Sequence, residues 1–131
     1  MEALSQDNID LLTNNILAQA RYFLENAGEF FPFASILDRS NQLKPVGAFL
    51  EDDTPDSLIV FNQLLTAIKE GIKKETYLAA AIAMEVYINT HTQNNGVQKM
   101  SGIQINFISS DTETVDYYLI HNTSGQYIFE R

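Results

Sequence analysis

Residues 28–37 read Gly28-Glu29-Phe30-Phe31-Pro32-Phe33-Ala34-Ser35-Ile36-Leu37 and join a predicted helix to the first predicted strand. Gly28 is of the residue type that most often ends a helix in the left-handed conformation. Pro32 holds the residue before it in an extended conformation, because its ring clashes with helical backbone at that position. The stretch therefore predicts a helix end followed at once by an apolar strand.

Two segments carry apolar residues at spacings of three and four, which places them on one face of a helix. The predicted helices cover residues 8–27 and 55–74. Ser5 or Asp7 can cap the first helix, and Thr54 can cap the second with Pro55 as its first residue. The predicted apolar stripe of the second helix comprises Leu58, Phe61, Leu64, Leu65, Ile68 and Ile72.

Strands are predicted where apolar residues alternate with a period of two. Residues 78–84 also suit a helix, because their alanines have high helix propensity, but the alternation favours a strand. Turn-forming residues at 38–42 predict a hairpin between the first two strands. The predicted strands cover residues 31–37, 45–50, 77–88, 103–108, 115–121 and 126–130.

Residues 89–102 form the longest polar connection. Connections of this length are often functional, which suggests a recognition loop. The turn sequence Asn94-Asn95-Gly96 supports the alternative of a hairpin that would extend both flanking strands.

The predicted element order is αββαββββ, and short turns make consecutive strands antiparallel. We therefore expect an α+β fold, a two-layer sandwich in which an antiparallel sheet of five to six strands carries both helices on one face. The 131 residues, 45% of them hydrophobic, are enough for one domain over residues 1–131.

Composition excludes several classes of function. The chain has no cysteine, so disulfides and thiolate chemistry are excluded. A net charge of −9 repels phosphate backbones and anionic lipids, so neither nucleic acid nor a membrane is an expected partner. No apolar run approaches the ~20 residues of a membrane span, and the acidic N-terminus does not read as a secretory signal. We expect a cytoplasmic protein.

The acidity is concentrated in the first half of the chain. Residues 1–60 hold ten acidic and three basic residues, a net charge of −7. The densest carboxylate group comprises Glu51, Asp52, Asp53 and Asp56. It lacks the spacing of an EF-hand loop, so no metal site is predicted. The two interpretations of this acidic patch are a binding surface for a basic protein and a solvated loop at a helix start.

A second candidate site is a pocket that includes Glu29, Phe30, Tyr87 and His91. Glu29 lies between a helix end and a Phe-rich strand, where partial burial would raise its pKa and suit it to acid or base chemistry. The alternatives are a Glu29 carboxylate in water and aromatic rings that belong to the core.

Catalytic motifs are absent from the sequence. His91 and His121 do not have metal-ligand spacing, although each has a possible carboxylate neighbour, Glu85 and Asp116 respectively. Ser35 lies in no G-x-S-x-G element, and no glycine-rich phosphate loop occurs. No catalytic residue, metal or cofactor is predicted.

The segment Gly28-Glu29-Phe30-Phe31-Pro32-Phe33, with the strand at Pro45-Val46, resembles a group of small bacterial proteins with a Gly-Glu-Phe-aromatic-Pro-Phe-Gly signature. Ala34 stands where the signature has glycine. No activity is assigned to that group, so the resemblance implies a structural motif and no function.

Two functional hypotheses follow. The first is a protein-interaction module, immunity-like or inhibitor-like, whose acidic first half covers a basic partner. The alternative is a small-molecule-binding domain or minimal enzyme with a pocket between helices and sheet, and an enzyme is the less favoured of these. The oligomeric state is left open, with a homodimer as one alternative.

Overall fold

The structure is a computed structural model that describes residues 5–46, 56–91 and 96–131, with the backbone alone at His91. Over these residues two helices and six strands follow the predicted order αββαββββ, which confirms the α+β class. The elements are α1 (Gln6–Ala27), β1 (Phe33–Asp38), β2 (Leu43–Val46), α2 (Ser57–Lys73), β3 (Tyr77–His91), β4 (Val97–Ser109), β5 (Glu113–Thr123) and β6 (Gln126–Glu130).

Helix α1 has the predicted caps at both ends. The Ser5 hydroxyl accepts a hydrogen bond from the Asn8 amide at 3.2 Å and so satisfies a free donor of the first turn. Gly28 has φ +76°, and its amide donates to the Leu24 carbonyl at 2.8 Å. A side chain is rarely stable at this φ, so glycine defines the end of the helix.

Helix α2 begins later than predicted. Asp56 is its N-cap, and one oxygen of the Asp56 carboxylate accepts hydrogen bonds from the amides of Leu58 at 2.8 Å and Ile59 at 3.3 Å. The prediction of Thr54 as cap is therefore wrong, because a carboxylate that serves two free amides fixes the start at Ser57. Pro55 precedes the helix and lies outside the described residues.

The buried stripe of α2 also differs from the prediction at its first turn. Leu58 is 60% exposed, whereas Val60 is buried. Residues 58–61 are four consecutive apolar residues, so spacing alone could not select the buried ones. The stripe comprises Val60, Phe61, Leu64, Ile68 and Ile72. No helix of the described residues is both long and apolar enough to span a membrane.

One antiparallel sheet contains all six described strands in the order β2-β1-β3-β4-β5-β6. β3 and β4 pair continuously from Ala79 with Ser109 to His91 with Val97. Most of residues 89–102 is therefore strand, as the hairpin alternative predicts, and residues 92–95 at its tip lie outside the described residues. The predicted strand at 45–50 is found as β2, and residues 47–50 also lie outside them.

The alanine-rich part of β3 is a strand, as predicted. Residues 79–83 are all buried, and they pair with β1 on one side and β4 on the other. Hydrogen bonding to two neighbours outweighs the helix propensity of alanine. Small side chains also suit a strand that is covered on both faces, since they let a helix approach the backbone closely.

The two helices cover opposite faces of the sheet, so the prediction of a two-layer sandwich with both helices on one face is wrong. α1 packs in one core with Phe33, Ala81 and Phe107. α2 packs in a second core with Ala34, Ala80 and Ile108. Adjacent strand residues point to opposite faces, so each of β1, β3 and β4 contributes to both cores. The layers are α1, sheet and α2.

The sheet curls around α1. This helix contacts both β1 and β6, which would be about 19 Å apart in a flat sheet with four strand spacings between them. The Arg21 guanidinium of α1 lies 5.3 Å from the centre of the Phe129 ring of β6. The curl therefore brings the last strand of the chain to the first helix.

Candidate functional site

The structure describes one of the four residues of the predicted acidic patch, Asp56. Glu51, Asp52 and Asp53 lie outside the described residues. Asp56 is exposed and caps α2 through its two amide hydrogen bonds. The role that the structure gives to Asp56 is therefore to stabilise the start of the helix.

Of the four predicted pocket residues, Glu29 and Phe30 lie beside Glu85. The prediction did not include the Glu85 carboxylate in the pocket. Glu29 is exposed, which agrees with the alternative of a carboxylate in water. Phe30 is buried, and its ring packs edge-to-face against Phe33 with centroids 5.4 Å apart. Tyr87 is 77% exposed and lies two residues after Glu85, on the same face of β3. The side chain of His91 lies outside the described part of the structure.

Glu85 is held beside the end of α1 by the backbone. Gly28 ends the helix, and the buried ring of Phe30 then anchors the chain against the sheet. This places the Phe30 amide so that it donates to the Glu85 carboxylate at 3.2 Å. Glu85 belongs to the face of β3 that also carries Ala81 and Ala83, the face covered by α1.

The ionisation of Glu85 is perturbed by this environment. Burial raises the pKa of the Glu85 carboxyl, because the charged form loses hydration. The hydrogen bond from Phe30 opposes that shift, and the negative charge of Glu29 reinforces it. A half-buried carboxyl of this kind can hold a proton at a higher pH than an exposed one. The sequence carried a signal for it, since Glu85 interrupts an otherwise apolar strand face.

An open cleft of about 860 Å³ lies elsewhere, between the end of α2 and the turn from β4 to β5. Its lining holds three cations and three carboxylates, so it has no net charge: Arg39, Lys69, Lys73, Glu75, Asp111 and Glu113. Lys69 pairs with Glu113 at 3.3 Å, and Arg39 donates to the Glu75 carbonyl at 3.1 Å. None of the predicted pocket residues lines this cleft.

The outer face of α1 carries carboxylates that have no cationic partner among the described residues. Asp7, Asp10 and Glu25 are exposed; Asp7 and Glu25 lie on one line of the helix, Asp10 follows Asp7 by three residues, and Glu29 follows just beyond the helix end. None of them takes part in the ion pairs that the described residues form, which are Lys44–Asp38, Lys69–Glu113, Lys74–Glu70 and Arg131–Asp116, or in the contact between His121 and Glu130. We call Asp7, Asp10, Glu25 and Glu29, with the exposed Leu11 and Tyr22 between them, the α1 acidic face.

Apolar side chains interrupt the α1 acidic face. Tyr22 is 63% exposed, and Leu11 is also exposed. Arg21 lies along the same line of the helix but is directed to the Phe129 ring. An amphipathic tyrosine within a charged surface is a common anchor in protein interfaces. The sequence signal for this face was the net charge of −7 over residues 1–60. The prediction placed the binding surface at Glu51, Asp52, Asp53 and Asp56.

A buried polar cluster joins α1 to β1. Ser35 is fully buried, and its hydroxyl donates to the Asn15 side-chain oxygen. Gln19 donates to the Ser35 hydroxyl at 2.9 Å and to the Asn15 oxygen at 2.7 Å. These bonds satisfy the cluster internally, so it fixes how α1 lies on the sheet.

The histidine pairs considered from sequence do not form. Asp116 and His121 lie on opposite faces of β5; Asp116 pairs with Arg131 at 3.0 Å, and Nε2 of His121 lies 3.4 Å from Glu130. His91 is six residues along β3 from Glu85, about 20 Å of strand. Among the described residues no three His, Asp or Glu side chains lie close enough to hold a metal ion.

Comparison of the chain with family models, with curated proteins and with solved structures gave no match.

Proposed function

We propose that this chain is a cytoplasmic protein-interaction module that binds a basic protein, in the manner of an immunity protein or inhibitor. The observation that carries the proposal is the α1 acidic face, whose four carboxylates lack cationic partners among the described residues. Carboxylates that only maintain solubility need no apolar neighbours. Here exposed Leu11 lies next to Asp7 and Asp10 on the helix, and exposed Tyr22 lies one turn before Glu25, which suits a contact surface.

The shape of this face supports a protein partner. Asp7 and Glu25 are eighteen residues apart on one line of a helix, a length of about 27 Å. This is far longer than a small molecule. Exposed charges over such a length attract an oppositely charged protein before contact, and they act mainly on the association rate.

The alternative of a small-molecule-binding domain has less support. The perturbed carboxylate, Glu85, already accepts a hydrogen bond from Phe30. The Phe30 ring packs in the core, where the hypothesis required a wall of a pocket.

Capture of proteins from the native cytoplasm tests the proposal. The test variant is the triple substitution Asp10→Asn, Glu25→Gln and Glu29→Gln, which leaves Asp7 near the helix start. Binding led by charge should weaken steeply as salt rises from about 50 to about 500 mM, because the Debye length falls to a few ångströms. We expect the wild type to capture one or a few basic proteins at low salt and the triple variant to capture at least about tenfold less.

The matched control makes the same charge change elsewhere. Glu70→Gln, Glu75→Gln and Asp111→Asn also remove three exposed carboxylates, at positions remote in sequence from α1. The control should retain the captured proteins. Equal loss in both triple variants would show that net charge and not the α1 acidic face is responsible, and undiminished capture by the α1 variant would exclude the α1 acidic face as the binding surface.

A further inference from the structure

The sheet has a large uncovered area on the side of α2. On this side α2 packs over β1 and the adjoining half of β3. The strand registers show which residues occupy the remaining area. Its cross-strand rows are Met84–Gln104–Tyr117 and Val86–Gly102–Leu119–Glu130, followed by the pairs Ile88–Met100 and His121–Ile128, with Val115 at the edge. We call these residues the open sheet face.

Apolar side chains dominate the open sheet face. Tyr117 is 51% exposed and Ile128 is 50% exposed, and Val115 is also exposed. Met84, Val86, Ile88, Met100 and Leu119 are each partly exposed. Isolated exposed apolar residues are ordinary, but a contiguous set on neighbouring strands marks an interaction surface.

The open sheet face, on the outer side of the curled sheet, has low relief at its centre. Gly102 has no side chain, and a Cβ atom there would lie 2.3 Å from Cδ1 of Ile88. The Ile88 side chain therefore lies across Gly102 and does not project from the sheet. A low-relief, side-chain-covered surface of this kind suits packing against another sheet at about 10 Å.

The charges identify the occupant. The chain as a whole has a net charge of −9, yet the central rows of the open sheet face are neutral. Gln104 donates to the Asn106 side-chain oxygen at 2.9 Å, so the polar groups there satisfy each other. Glu130 at the rim lies 3.4 Å from His121, and Glu113 pairs with Lys69. A basic partner finds no carboxylate in these central rows, whereas a second copy of this acidic chain meets less repulsion here than at the α1 acidic face.

The size suits a weak dimer. The open sheet face spans up to four strands and five residues of β3, roughly 300 Å² in projection. Two such faces give roughly 600 Å² in projection, less than the ~1,000 Å² of a tight specific interface, so we expect a dimer that forms at high protein concentration.

We propose that the protein is a homodimer in which the open sheet faces of two copies pack against each other around a two-fold axis. In such an interface the same patch on both copies is used, so each contact occurs twice. The α1 acidic face then lies on the outer side of both copies, because α1 covers the opposite face of the sheet. Dimerisation therefore leaves the α1 acidic face free, and the dimer carries two copies of it.

Sedimentation of matched variants tests the dimer. Tyr117→Glu places a charge in the open sheet face, and Tyr87→Glu makes the same change at an exposed tyrosine on the opposite face of the sheet. We expect wild type and Tyr87→Glu to be dimers at about 200 μM, and Tyr117→Glu to dimerise at least about 30-fold more weakly. Tyr117→Gln removes the ring without adding charge and should weaken the dimer in the same direction. Circular dichroism of each variant checks the fold.

Three outcomes would overturn the dimer. The first is a wild-type monomer at that concentration. The second is equal weakening by Tyr87→Glu and Tyr117→Glu, which would indicate general repulsion. The third is that the wild type is a monomer and captures another protein that the Tyr117→Gln variant does not capture. This result would assign the open sheet face to a different partner. Salt should strengthen the dimer, since it screens repulsion between two copies, whereas it weakens binding at the α1 acidic face.

Discussion

The Glu85 carboxyl group couples ionisation to folding. In the unfolded chain it titrates near the ordinary value of 4.5, whereas burial raises its pKa in the folded protein. Between these two values the folded state binds more protons than the unfolded state. The Glu85 contribution to the free energy of unfolding therefore falls as pH rises through this window, and the loss persists at neutral pH.

We expect Glu85→Gln to make the protein slightly more stable than wild type at pH 7, by less than about 1 kcal/mol because solvent screens a half-exposed group. The glutamine oxygen can still accept the Phe30 amide, while the cost of a buried charge is removed. Urea denaturation of both proteins between about pH 4 and pH 7 measures the difference.

The difference in stability should shrink as pH falls below the window. Glu25→Gln, at an exposed carboxylate of α1, is the control and should change the pH dependence little. A Glu85→Gln variant that is less stable than wild type at pH 7 would contradict the assigned role of burial.

From the sequence, Glu29 was the candidate for a carboxyl group with a raised pKa. In the structure it is the nearby Glu85 whose pKa is raised by burial. Glu29 follows a helix end, and a helix end alone does not say whether the next side chain enters the core or water. Glu85 shares a strand face with Ala79, Ala81 and Ala83, which α1 buries. Alternation on the strand was the better guide, because a strand fixes the direction of each side chain.

At the scale of elements, local chemistry predicted α1 better than α2. Ser5 and Gly28 are residue types with strong positional preferences, and both act as predicted. At the start of α2 several polar residues compete, and the choice depends on which side chain reaches the free amides. Asp56 reaches two of them, which no propensity scale weighs.

We expect Asp56→Ala to destabilise the protein by about 1 kcal/mol, because two amides of the first turn lose their acceptor. Asp56→Asn should retain most of the stability, since its side-chain oxygen can accept the same bonds. Ser57→Ala, at the next exposed position, is the control. Thermal or urea unfolding measures all three variants, and equal stability of Asp56→Ala and wild type would rule out the cap.

At the scale of the molecule, the antiparallel sheet and the order of elements along the chain could be predicted from the sequence, but the predicted placement of both helices on one face was wrong. Short turns made the strands antiparallel, and all of them pair as neighbours except where β3 follows α2 and pairs with β1. The signal for two covered faces was present at residues 33–37, where every position is buried. A strand with one wet face alternates with polar residues, whereas a strand covered on both faces is apolar at nearly every position.

Because both helices pack on β1 and β3, the two cores should unfold together. Ile16 of α1 and Ile68 of α2 are fully buried on opposite faces of the sheet, so Ile16→Val and Ile68→Val form a matched pair. Each should lower the free energy of unfolding by about 0.5–1.5 kcal/mol, and the double variant by roughly the sum.

The helical and tyrosine signals should change in one coincident urea transition in all three variants, since neither core can persist without the strands that it shares with the other. An Ile68→Val protein that lost part of its helical signal at a lower urea concentration than its tyrosine signal would show that α2 detaches while the rest of the fold remains.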